Sequence, residues 1–214
     1  MVIEVFQDTV CPWCRIGKKN LYDAISKWDG EEITVRTRTF FLNEAIPVNG
    51  IPFRKHMASI KGDDQIETLF EYVENAGKRS GLKFHFSKIQ ISPNTILSHQ
   101  LIFLTPENKK LQMVDALHDA YFENGIDIGD SEELVKIAEA QGMDGQKIKI
   151  QLQNGEGKKE ILEESEWAKR NGIRGVPFFI IGQYGLSGAQ PPDVILKAMK
   201  MASEATEKEG STQS

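Results

Sequence analysis

A chain of 214 residues that is 40% hydrophobic, 27% charged and carries a net charge of −5 has the composition of a globular protein with ample material for a core. That mildly acidic balance excludes the basic footprint of a general nucleic-acid binder, whose pI exceeds about 9, and no run of about 18 apolar residues offers a membrane span. The N-terminus lacks a basic segment followed by an apolar stretch, so no secretory leader is expected, and the cytoplasm is the expected location.

The chain opens on a buried strand (Val2, Ile3, Val5, Phe6), a polar turn (Gln7, Asp8, Thr9) and then Cys11-Pro12-Trp13-Cys14. Cys14, Gly17, Leu21, Ile25 and Trp28 recur at three- and four-residue steps, the period of one helix face, so the motif sits in a first helical turn. Pro12 suits that turn because it lacks an N–H that would be unpaired there. Cys11 then lies where unpaired N–H groups and the positive end of the helix dipole gather, and a thiolate is favoured. Cys14, one turn on and facing inward, is placed to attack back. These are the only two cysteines. A zinc site needs about four N/S ligands, and His56, His85, His99 and His118 show no ligand spacing, so no metal is expected. In a reducing compartment a vicinal pair is more naturally redox-active than a structural staple.

Beyond Asp29-Gly30, residues Ile33 to Leu42 alternate as a strand, which gives a β-α-β opening with the two strands parallel. Residues 43–62 break up around Pro47, Gly50 and Pro52 and read as a linker. Helical periods follow: Ile66 to Ala76, a segment opened by Ser92-Pro93-Asn94-Thr95, another opened by Thr105-Pro106, one capped by Asp130 or Ser131, and a weaker one over Ile148 to Leu152. A further helix spans about 158–171. Val176 to Ile181 and Gln183 to Leu186 read as strands, and Pro191-Pro192 opens a last helix. Helices in succession between strands point to an inserted all-α subdomain. The expected division is a discontinuous α/β domain over 1–42 and 155–203, a helical subdomain over 43–154, and a disordered tail over 204–214.

Cys11-Pro12-Trp13-Cys14 with Ile16-Gly17, Ser92-Pro93-Asn94-Thr95, Asp127-Ile128-Gly129-Asp130, Gly175-Val176-Pro177-Phe178-Phe179 and Ser187-Gly188-Ala189-Gln190-Pro191-Pro192 together resemble the DsbA-like thioredoxin-fold oxidoreductases, specifically their FrnE-like branch. The resemblance runs over residues 2 to about 202. It implies an α/β thioredoxin fold with an inserted all-α helical subdomain, and thiol–disulfide exchange through a mixed disulfide at Cys11 that Cys14 resolves. It implies supporting roles for Pro12, Trp13 and a cis Val176–Pro177 peptide facing the cysteines, and substrate contacts at Asn94, Thr95, Gly175 and Gln190. No cofactor is implied beyond the redox-active disulfide, with glutathione as a possible co-substrate. The implied partners are thiol- or disulfide-containing proteins or small thiols, not nucleic acid or membrane.

Two departures from the family pattern stand out. Arg15 occupies a position where tyrosine is usual, and is expected to add positive charge near the sulfurs. Trp13 stands where the periplasmic enzymes carry a thiolate-stabilising histidine, so strong oxidant behaviour is not implied. The competing readings are a glutathione-dependent isomerase of small aromatic compounds, whose chemistry needs no resolving thiol, and a peptide-binding chaperone module. His99 and His118 are expected on a packed or solvated helix face, Lys18 and Lys19 on a solvated one, and Trp167 in the core.

Overall fold

The structure, a computed structural model, describes the backbone of residues 1–212 and the side chains of residues 1–206. Strand β1 (Val2–Gln7) lies at the centre of the main sheet, because its two faces are both apolar. Period-two alternation puts Ile3 and Val5 on one face and Phe6 on the other. It pairs in parallel with β2 (Thr34–Thr39), from Val2 opposite Thr34 to Gln7 opposite Thr39. On its other edge it pairs antiparallel with β5 (Phe178–Ile181), which pairs in turn with β6 (Tyr184–Ser187), so the order is β2-β1-β5-β6. The parallel pair requires a crossover, and helix α1 (Pro12–Ile25) supplies it.

Helix α1 and the last helix, α9 (Pro192–Thr212), cover the first face, where Leu21, Ala24, Ile195 and Met199 bury Ile3, Val5, Phe179 and Ile181. The second face, with Phe6 and Phe40, is covered by Ala168 of α8 (Lys158–Arg170) and by Ile173. Trp167 is not a core residue: it is 46% exposed and stacks on Phe6 at 5.9 Å, so only one of its ring faces is covered.

Between β2 and α8 the chain is helical, with α2 (Phe53–Lys61), α3 (Ile66–Arg79), α4 (Ile96–Leu104), α5 (Lys110–His118), α6 (Ser131–Ala140) and α7 (Gly145–Gln153). A two-stranded ribbon of β3 (Ile51–Pro52) and β4 (Ile91–Ser92) ties α2 to the start of α4. The fold is therefore a thioredoxin-like α/β sheet interrupted by a helical insertion. The insertion has its own core, built on stacked phenylalanines: Phe53 on Phe70 at 5.4 Å, Phe70 on Phe86 at 4.6 Å, and Phe84 edge-on to Phe122 at 5.2 Å. Ile16 of α1 belongs to this core, so α1 joins the two halves.

Two segments differ from the sequence expectation. The predicted linker 43–62 contains α2, because Phe53 and Met57, four residues apart, fall on one apolar face against the insertion core. The predicted disordered tail is helical over 204–212, where α9 simply continues past its last core contact; residues 213–214 lie outside the described part.

Candidate functional site

Cys11 is the N-cap of α1, in extended backbone with φ −90° and ψ 109°. Its carbonyl accepts the N–H of Cys14 at 3.0 Å, and its sulfur accepts that same N–H at 3.3 Å, so one amide of the first turn is shared between the carbonyl and the sulfur. Across the site, the Cys11 thiol donates to the carbonyl oxygen of Val176 at 3.6 Å. The Val176–Pro177 peptide is cis. Cys14 lies one turn inside and is 1% exposed. Burial pushes the Cys14 thiol up from its ordinary pKa, and the adjoining Cys11 sulfur adds to the effect by hydrogen bonding and charge.

The loop before Cys11 is held from three directions. Cys11 N–H donates to Asp8 O at 3.0 Å, closing the turn. The buried Asp8 carboxylate accepts the Leu42 N–H at 2.8 Å and faces His99 Nε2 at 3.3 Å. Thr9 and Ser98 share a buried hydroxyl hydrogen bond of 2.8 Å. Helix α4 of the insertion thus supplies Ser98 and His99 to fix the strand-to-helix turn of the sheet, a role that sequence spacing does not reveal. His99 is fully packed, and so is His118, whose two ring nitrogens reach no hydrogen-bond partner within the protein.

Gly17 sets how closely α1 approaches the Pro177 loop. A Cβ there would lie 2.8 Å from Pro177 Cγ and 3.2 Å from Phe179 Cζ, so only glycine fits without displacement. The Pro177 carbonyl accepts the Gly188 N–H at 2.8 Å, which ties the loop to the turn after β6.

The remaining sequence candidates fall in different places. Cys11, Pro12, Trp13, Thr95 and Val176 line one cavity of about 510 Å³. Asn94 does not line it: its side chain donates to Ile46 O at 2.7 Å and accepts the Ile96 N–H at 3.0 Å, the geometry of a helix-opening turn. Gly175 and Gln190 also lie outside the cavity wall. Gln190 braces its own loop, donating to Ser187 O at 2.8 Å and accepting from Asn20 at 3.0 Å.

Arg15 does not present free charge to the sulfurs. It is 6% exposed, is bound by Asp119 and by Glu123 at 2.6 Å, donates to Lys83 O at 2.6 Å, and lies over the Phe84 ring. Lys18, expected in solvent, is 5% exposed and pairs with Asp115 at 2.7 Å, its long stem buried against α5. Lys19 remains at the surface with Asp23. Among the described residues no cluster of three or more His, Cys, Asp or Glu side chains could hold a metal, and no helix is long and apolar enough to cross a membrane.

These features meet in a known class. The model of the DSBA-like thioredoxin domain matches residues 2–200, and the chain belongs to that family. Over 210 residues it is 29% identical to the uncharacterized protein YwbO of Bacillus subtilis, covering 92% of this chain and 94% of that one. Its fold is similar to a crystal structure titled a probable DsbA oxidoreductase from Streptomyces coelicolor, with a TM-score of 0.88 and 25% identity over 94% of this chain and 89% of the other. It is also similar in fold to the cytosolic disulfide reductase DsbM from Pseudomonas aeruginosa with GSH, with a TM-score of 0.64 and 14% identity over 98% of both chains.

Proposed function

We propose that the protein is a thiol–disulfide oxidoreductase of the FrnE-like branch, acting in the cytoplasm, with Cys11 as the attacking sulfur and Cys14 as the resolving one. The observation that carries this reading is the position of Cys11: it caps α1, accepts the first-turn N–H of Cys14 on its sulfur, and faces the Val176–Pro177 loop. The Cys11 thiolate attacks a disulfide RSSR, forming a mixed disulfide at Cys11 and releasing one thiolate. Cys14 then attacks the Cys11 sulfur, forming the Cys11–Cys14 bond and releasing the second R group as a thiol that carries away the Cys14 proton. Two electrons pass to RSSR, and two equivalents of a monothiol restore the dithiol. The raised Cys14 pKa supports this division of labour, because a protonated resolving thiol lets the mixed disulfide form before it is cleaved. Pro177, with no N–H and a fixed φ, supports the reading as a residue that holds backbone beside the sulfurs without donating to the sheet ladder.

The test is Cys14→Ser mixed with hydroxyethyl disulfide and weighed by intact mass spectrometry. A single covalent adduct at Cys11 is expected to accumulate, and to be absent in Cys11→Ser. No adduct in the Cys14→Ser protein would overturn the assignment, and activity on a small molecule that survived loss of both cysteines would favour the isomerase reading instead.

A further inference from the structure

Cys11 is 4% exposed, and the part of its surroundings that is not packed is the cavity between the sheet and the insertion. One end of that cavity is Cys11, Pro12 and Val176; the rest is mostly apolar, with Val10, Leu42, Ile46, Phe53, Met57 and Phe70 among its walls. A volume of about 510 Å³ falls within the range of roughly 300–1,000 Å³ that encloses a small molecule. Trp13 extends the enclosure by packing on Tyr72 of α3 at 5.6 Å, which bridges the cysteine turn to the insertion. The sulfur therefore stands at the end of a recess of a size that suits a compact molecule.

The polar lining says what such a molecule carries. The Asp8 carboxylate at the wall is already engaged by Leu42 N–H and His99. Lys61 stands at the exposed rim. His56 also lines the wall, and burial lowers its pKa, so at neutral pH the ring adds no charge to the cavity. The other polar lining residues, Asn43, Ser92, Thr95 and Tyr121, are uncharged, so Lys61 is the one cation among the lining residues, and a multiply charged peptide such as glutathione would leave most of its charges without a partner of opposite sign.

From this we infer that, given the oxidoreductase reading above, the pocket selects a compact apolar disulfide, aromatic or aliphatic, and delivers its sulfur–sulfur bond to Cys11. The chemistry is the exchange already written: Cys11 and Cys14 lose two electrons and two protons, and RSSR leaves as two RSH.

The test is a single turnover with pre-reduced protein, using 4,4′-dithiodipyridine as the apolar probe and hydroxyethyl disulfide as the polar one. Each rate is divided by the rate of the same disulfide with dithiothreitol, which removes their different intrinsic reactivity. The expected selectivity for the apolar probe is about ten-fold or more, the discrimination that a methylene's worth of apolar contact gives at the low end. Met57→Trp, which fills the cavity, and Ile60→Glu, which charges its rim at a position already 56% exposed and so does not endanger folding, are each expected to lower that selectivity several-fold. Selectivity near unity, or selectivity that neither variant moves, overturns the pocket inference while leaving the exchange chemistry standing. If Cys11 reacts with neither disulfide, the oxidoreductase reading falls, and this inference with it.

Discussion

Gly17→Ala separates the local preferences of α1 from the demands of the site it carries. Helix propensity alone favours alanine over glycine in a helix interior by about 1 kcal/mol. The structure argues the opposite sign: the added Cβ would stand 2.8 Å from Pro177 Cγ, 3.2 Å from Phe179 Cζ and 3.4 Å from the Ala189 backbone. None of these is the free end of a flexible side chain, so α1 or the Pro177 loop must shift, at an overpacking cost of about 1–3 kcal/mol. The expected net effect is a loss of about 1 kcal/mol after the propensity gain is deducted. In urea, with a slope of about 2 kcal/mol per molar, the midpoint should fall by about half a molar. Gly175→Ala is the reference, because nothing lies within 4 Å of its added Cβ and its φ is not in the left-handed region. It should be neutral or up to about 1 kcal/mol stabilising through the unfolded chain. A Gly17→Ala protein more stable than wild type would show that α1 and the Pro177 loop are not in the contact that the site geometry requires.

Burial lowers the His118 pKa well below its ordinary value, and the charges of Lys18 and Arg15 add to the effect. The stability tied to its neutral form is present above about pH 6.5 and lost as pH falls, at up to about 1.4 kcal/mol per pH unit. His118→Leu should flatten that acid limb in unfolding experiments between pH 7 and 5, and an unchanged slope would refute the assignment. Cys14 works in the other direction: its raised pKa means that reduced protein loses stability above about pH 8.5, and the difference from Cys14→Ala should grow with pH there. The disulfide form should lack that difference. Arg15→Met should cost about 2 kcal/mol in urea unfolding, below the 3–5 kcal/mol of a fully buried pair because Asp119 and Glu123 reach solvent. The same change removes the cation that lowers the Asp119 pKa against its burial, so the folded pKa rises further above the unfolded one, proton uptake favours the folded state, and the deficit of Arg15→Met should shrink as pH falls through the carboxylate range; a loss under 0.5 kcal/mol at neutral pH would place Arg15 among ordinary surface residues.

What could be read from the sequence was whatever is encoded within a few residues. The strand, turn, cysteine pair and helix N-terminus follow from Val2 to Trp28, because alternation, Pro12 and the helical period are local properties. The parallel pairing of β1 with β2 follows from one helix-length connection. Most of the unread features join distant positions. Arg15 and Lys18 look like solvated residues of α1 until Asp119, Glu123 and Asp115, about a hundred residues later, are folded against them. Asn94 reads beside Thr95 as a substrate contact; in the fold its side chain bonds Ile46 O and Ile96 N–H, and of the two residues it is Thr95 that lines the cavity.

The same logic explains why the pocket had no signature in the sequence. Its walls come from the loop before Cys11, the segment after β2, and helices α2 and α3, and each contributes residues that read singly as ordinary core. Phe53 and Met57 illustrate the point: Pro47, Gly50 and Pro52 mask the short helix that carries them, and nothing nearby in sequence indicates that the helix faces a sulfur. The buried Asp8–His99 and Thr9–Ser98 contacts then fix that arrangement by tying the cysteine turn to the insertion. A change in α4 at Ser98 or His99 therefore acts on the cysteine turn although neither residue lines the cavity, because the loop that aims Cys11 into it is held from α4.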